Sequence, residues 1–100
     1  MVGRDEIINI LKAEKQALAS EYGVSRIGLF GSFAHGTPSD GSDVDLVVEF
    51  VRPIGFRFME LAERLESLLG RSVDLLTPAG IKGIRSERVL RSIGQGIIYV

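Results

Sequence analysis

Residues 43–50 read Asp-Val-Asp-Leu-Val-Val-Glu-Phe, and this alternation constrains the chain more than any other stretch. In an extended strand successive side chains point to opposite faces. Val44, Leu46, Val48 and Phe50 therefore share one face, while Asp43, Asp45, Val47 and Glu49 share the other. Such a strand buries its apolar face and gathers its acids on the reverse. Segments on either side can cover it. Between Arg4 and Tyr22, the residues Ile7, Ile8, Leu11, Leu18 and Tyr22 recur near helical spacing, with Glu6, Lys12, Glu14 and Lys15 polar between them. Gly23 fits a left-handed stop just beyond. Val24, Ile27, Leu29 and Phe30 then make a short apolar run ending at Gly31, which suits a buried strand. Pro53 and Gly55 end the acidic strand. Residues 56–69 put Phe58, Leu61, Ala62, Leu65, Leu68 and Leu69 on one side of a second helix, stopped by Gly70. Glu60 and Arg64 stand four apart on it, the favourable order for a surface pair. The run Arg-Ser-Val-Asp-Leu-Leu-Thr-Pro reads as a third strand closed by Pro78. Residues 85–93 fit a short helix stopped by Gly94, and the tail 96–100 a strand or an extended end. Helices alternating with strands give an α+β class: a small mixed β-sheet with helices packed on it.

One hundred residues with 45% hydrophobic content support a single domain, residues 1–100, with one core. With no cysteine, disulfide frameworks and thiolate chemistry are excluded. Twelve basic residues against thirteen acidic ones give a net charge of −1, which argues against a chain that coats nucleic acid. No apolar run approaches the roughly 20 residues that span a bilayer. The first fifteen residues carry acids and bases where a signal peptide needs an apolar stretch. A cytoplasmic protein with no membrane role is expected.

Chemistry gathers at two places. Asp43 and Asp45 lie about 6.6 Å apart along a strand, on one face. If their charges approached to about 4 Å they would repel by ~4 kcal/mol at an effective dielectric near 20. Either one proton stays on the pair or a cation sits between them. Hard ions such as Mg²⁺ choose carboxylate oxygen. A solvated strand end would account for the pair taken alone. A calcium loop starting at Asp43 would put Val48 where glycine is needed and Ile54 where glutamate is needed. Asp74 stands between Val73 and Leu75; if its strand pairs beside the first, Asp74 joins the acidic face. Alone it is a sheet-surface aspartate. The second place is Gly31-Ser32, which follows a strand and opens into Phe-Ala-His-Gly. Free N–H groups at a helix start favour phosphate, and a serine hydroxyl can donate to it. An ordinary strand-to-helix turn explains this dipeptide equally well by itself. Residues 36–43 are turn chemistry, with Asp40 expected to turn with Gly41.

Together, Leu-Phe-Gly-Ser, ten residues from Phe33 to Ser42, and Asp43-Val-Asp45 resemble the signature of the nucleotidyltransferase superfamily that includes DNA polymerase beta. Asp74 matches the third acid of that pattern. The length resembles the minimal nucleotidyltransferases, the MNT branch. The resemblance implies a polymerase beta palm-like fold and Mg²⁺-dependent transfer of a nucleoside monophosphate, AMP from ATP by analogy, onto a hydroxyl. It implies that Gly31 and Ser32 hold phosphates. It also implies that Asp43, Asp45 and Asp74 are catalytic and bind metal, two ions when nucleotide is bound. His35 departs from the arginine frequent in the family. Minimal relatives commonly act as antitoxins beside a helical HEPN protein, so such a partner is expected to supply the acceptor. Lys82, Arg85, Arg88 and Arg91 recur every three residues and could dock an acidic partner face or RNA, or form a solvated helix face. The rival reading is a non-catalytic antitoxin that neutralises its partner by contact alone. Oligomeric state stays open.

Overall fold

Gly3 and Gly23 bracket the first helix, α1 (Arg4–Tyr22), in a computed structural model that describes residues 3–36, 43–83 and 96–100. The Gly3 carbonyl accepts the Ile7 N–H at 3.0 Å. At the other end Gly23 adopts φ +73° and returns its N–H to the Ala19 carbonyl, the left-handed stop expected there. Ile7, Leu11, Leu18 and Tyr22 form the buried stripe of α1. The chain turns directly into β1 (Val24–Phe30) and then into a single helical turn, α2 (Gly31–Ala34). β2 (Val44–Phe50), α3 (Arg57–Leu69), β3 (Val73–Leu76), α4 (Pro78–Gly83) and β4 (Ile98–Tyr99) follow. The short helix expected at 85–93 lies outside the described residues.

The sheet runs β3-β2-β1-β4, with β1 antiparallel to both β2 and β4 and β2 parallel to β3. A parallel pair needs a crossover, and α3 supplies it. Alternation decides the layers. Ile27, Leu29, Val44, Leu46, Val48 and Leu75 point to one face, where they meet Ile7, Leu11 and Leu18 of α1 and Leu61, Leu65 and Leu69 of α3. Each such side chain, fully buried, contributes roughly 1.5–3 kcal/mol. The opposite face carries a smaller cluster of Phe30 and Val47 with Leu76 and Ile97. The Arg26 guanidinium lies 3.7 Å from the centre of the Tyr99 ring, which ties β4 to β1.

Two local expectations change. Arg64 does not pair with Glu60. It reaches across to α1, forming a close ion pair with Glu21 and another with Glu14 at 3.6 Å. Glu60 instead meets Arg57 at 3.6 Å and accepts the Tyr22 hydroxyl at 3.3 Å. Packing of α1 beside α3 offers Arg64 partners that a lone helix lacks. Pro78 does end a strand, but it also starts α4: Thr77 Oγ1 accepts the Gly80 N–H at 3.0 Å as a helix cap.

Candidate active site

Three chain segments meet at one end of the sheet. The last residue of β1, Phe30, pairs with Asp45, and Asp45 pairs with Asp74. Residues paired in register on neighbouring strands point the same way, with Cα atoms about 4.8 Å apart. Asp45 and Asp74 therefore stand side by side on the face turned away from α1 and α3. Asp45 is buried, at 4% exposure, and Asp74 is half-buried. Asp43 is exposed and directly precedes β2. The Val44 N–H donates to the Ser72 carbonyl at 2.9 Å, which fixes the start of β2 against the turn into β3.

Gly31 closes the site from β1. It adopts φ +77°, and a Cβ there would lie 2.0 Å from Asp45 Oδ2 and 2.9 Å from its Cγ. The Asp45 carboxylate thus packs on the bare α-carbon that begins α2. Only glycine permits both the dihedral and the approach. Ser32 follows, half-buried. Phe33 is fully buried in the helix-side core, and the Arg71 guanidinium stacks on its ring at 5.0 Å. Arg4 donates to the Ala34 carbonyl at 3.3 Å, anchoring the end of α2 to the start of α1. The His35 N–H returns to the Gly31 carbonyl at 3.2 Å, and its ring Nε2 is enclosed with no hydrogen-bond partner among the described residues.

The register thus brings Gly31, Ser32, Asp45 and Asp74 to one sheet end, with Asp43 at its rim. Among the described residues no three His, Asp or Glu side chains stand close enough to grip one metal ion. The donors are nonetheless all oxygen, and two of them are neighbours on adjacent strands. Asp40, Arg85, Arg88 and Arg91 lie outside the described residues, and Lys82 falls in α4. Sequence reading did not single out Arg71. Its only local signal was the helix stop at Gly70, which says nothing of the aromatic ring brought over from α2.

Residues 7–93 match the family described as Nucleotidyltransferase domain. The chain belongs to the nucleotidyltransferase family. Relatives cover nearly its whole length. The protein adenylyltransferase MntA of Thermococcus cleftensis is 42% identical over 94 residues, spanning 93% of this chain and 95% of the relative. A candidate protein adenylyltransferase of Methanocaldococcus jannaschii is 42% identical over 98 residues, spanning 95% of each. Among solved structures, a candidate minimal nucleotidyltransferase superposes with TM-score 0.69 at 27% identity, covering 96% of this chain and 94% of the other. A chain from a toxin–antitoxin crystal structure with AMP-PNP superposes with TM-score 0.60 at 25% identity, covering 96% and 70%. This nucleotidyltransferase therefore has the expected fold, helices on a mixed four-stranded sheet. None of its described helices is long and apolar enough to cross a membrane.

Proposed function

We propose that this nucleotidyltransferase is a cytoplasmic antitoxin that transfers AMP from ATP to a hydroxyl of a HEPN-family toxin partner, with Mg²⁺ as cofactor. One observation carries the reading: Asp45 is held between the bare backbone of Gly31 and Asp74 on the next strand. The relatives named as protein adenylyltransferases and the neighbour solved as a toxin–antitoxin with AMP-PNP support donor and partner.

In this reading Gly31 and Ser32 hold the β- and γ-phosphates, the first by backbone approach and the second by its hydroxyl. Asp43, Asp45 and Asp74 would hold two Mg²⁺ ions, which supply charge stabilisation on the phosphate oxygens. Oxygen-only donors suit that ion. Asp74, less buried than Asp45, takes the proton of the acceptor hydroxyl. The acceptor oxygen bonds to the α-phosphorus, the bond from that phosphorus to the bridging oxygen breaks, and pyrophosphate leaves. Asp45 fixes where the α-phosphate sits relative to the turn.

Titration calorimetry with ATP tests the binding half. Wild type binds ATP in the presence of Mg²⁺ and at least about tenfold more weakly without it, while Asp45→Asn stays folded and loses that metal dependence. Equal ATP affinity with and without Mg²⁺ in wild type contradicts the proposal.

A further inference from the structure

Gly70 turns the chain out of α3 with φ +68°, its N–H returned to the Glu66 carbonyl at 2.8 Å, and Arg71 comes next. Two hydrogen bonds fix the backbone just beyond it. The Ser72 carbonyl accepts the Val44 N–H at 2.9 Å from β2, and Glu66 Oε2 on α3 accepts the Val73 N–H at 2.9 Å. Arg71 therefore projects from a firm base, three residues before Asp74. Its guanidinium carbon lies 5.0 Å from the centre of the Phe33 ring. Phe33 belongs to another part of the site, because it directly follows Ser32 in α2. A single helical turn holds little shape of its own. The place of Ser32 is thus set by what grips its neighbours. Gly31 packs on the Asp45 carboxylate, Arg4 holds the Ala34 carbonyl at 3.3 Å, and Phe33 is fully buried beside Arg71. Of these anchors, Arg71 is the one that comes from the segment carrying Asp74.

We propose that Arg71 is a positioning residue for nucleotide binding, resting on the phosphate-holding role proposed above for Gly31 and Ser32. By covering the Phe33 ring it fixes the Gly31-Ser32 turn relative to β3, and so sets how firmly the site grips a triphosphate. A guanidinium suits this task. It is planar, keeps its charge and is weakly hydrated, so it lies on an aromatic ring at small desolvation cost. Arg71 acts through the ring rather than on the nucleotide. Phe33 packs in the core on the helix side of the sheet, whereas Asp45 and Asp74 point to the opposite face. Without the guanidinium the ring is free to shift, and Ser32, bonded to it through one peptide unit, shifts with it.

Titration calorimetry with ATP and with AMP, each with Mg²⁺ present, tests it. AMP lacks the two phosphates that the turn would hold, so it reports general damage to the site. Arg71→Met keeps the length of the side chain and removes its charge and plane. It is expected to weaken ATP binding about tenfold and AMP binding less than about twofold. Phe33→Leu removes the ring, and adding Arg71→Met to it is expected to weaken ATP binding less than about twofold further. Equal losses for ATP and AMP would reduce Arg71 to a structural role and overturn the proposal, as would wild-type ATP affinity in Arg71→Met. A tenfold loss that persists in the Phe33→Leu chain would mean that the guanidinium acts on phosphate directly, and overturns it too. Should Phe33→Leu fail to fold, the comparison of ATP with AMP decides alone. Ser32→Ala separates this inference from the reading beneath it. Weaker ATP binding in that variant supports the phosphate-holding turn whatever Arg71→Met does, and unchanged binding overturns the turn's role and the role of Arg71 with it.

Discussion

Gly31 is where backbone freedom and charge placement become one requirement. Its φ of +77° strains any side chain, and a methyl group there would overlap the Asp45 carboxylate. Gly36, with φ +73° and nothing within 4 Å of a built Cβ, carries the dihedral without the clash. Gly36→Ala is expected to cost about 1 kcal/mol, and Gly31→Ala at least about 2 kcal/mol more. In a domain this size each kcal/mol moves the melting point by about 4–8 °C, so differential scanning calorimetry separates the two. Equal melting points would mean that the Asp45 contact does not constrain the turn. Much of this was legible beforehand. The two-residue period alone put Asp43 and Asp45 on one face and Asp74 opposite Val73 and Leu75. The contact of Gly31 with Asp45 was not legible, because it depends on the β1–β2 register that pairs Phe30 with Asp45.

Among elements, α1 and α3 are clasped by more than their leucines. Tyr22 is buried between them, with Arg57 4.7 Å and Arg64 5.9 Å from its ring centre. Arg57 also donates to the Glu21 carbonyl at 2.7 Å. Burial, then the neighbouring Glu60 carboxylate, raises the Tyr22 phenol above its ordinary 10.0, with Arg57 pulling the other way. A raised value means that the fold holds this proton more tightly than the unfolded chain does. The stabilisation is thus complete below pH 10.0 and is lost as pH rises through the higher folded-state value. Urea unfolding from about pH 8 to about pH 11 should show wild-type stability falling more steeply than that of Tyr22→Phe. Parallel declines would show that Tyr22 keeps an ordinary affinity for its proton. Helix positions were readable from periodicity and from Gly23 and Gly70. The choice of Arg64 for Glu14 and Glu21 was not, since only the packed pair of helices brings those carboxylates within reach. In the sequence Pro78 ends a strand, because proline stops one; the same proline suits the first turn of a helix, and only the cap from Thr77 decides.

On the scale of the whole molecule, the sheet separates its buried carboxylate from its cleft. Gly31, Asp45 and Asp74 occupy one end of the strands, and the cleft bordered by Phe50, Val51, Pro78 and Ala79 lies at the other. Asp45 and Glu49 are four residues apart on β2, about 13 Å at strand rise. Substitutions at one end should leave the other's readout intact. Phe56→Asp, at a fully exposed position, is expected to bind ATP as wild type does in titration calorimetry.

The most direct measurement follows label from ATP onto the protein encoded beside this chain, with Mg²⁺ present. Label at the α-phosphate should transfer and label at the γ-phosphate should not, and Asp45→Asn should slow the transfer at least about 100-fold while staying folded. Transfer of the γ-label, or α-label transfer at an undiminished rate in Asp45→Asn, would contradict the account.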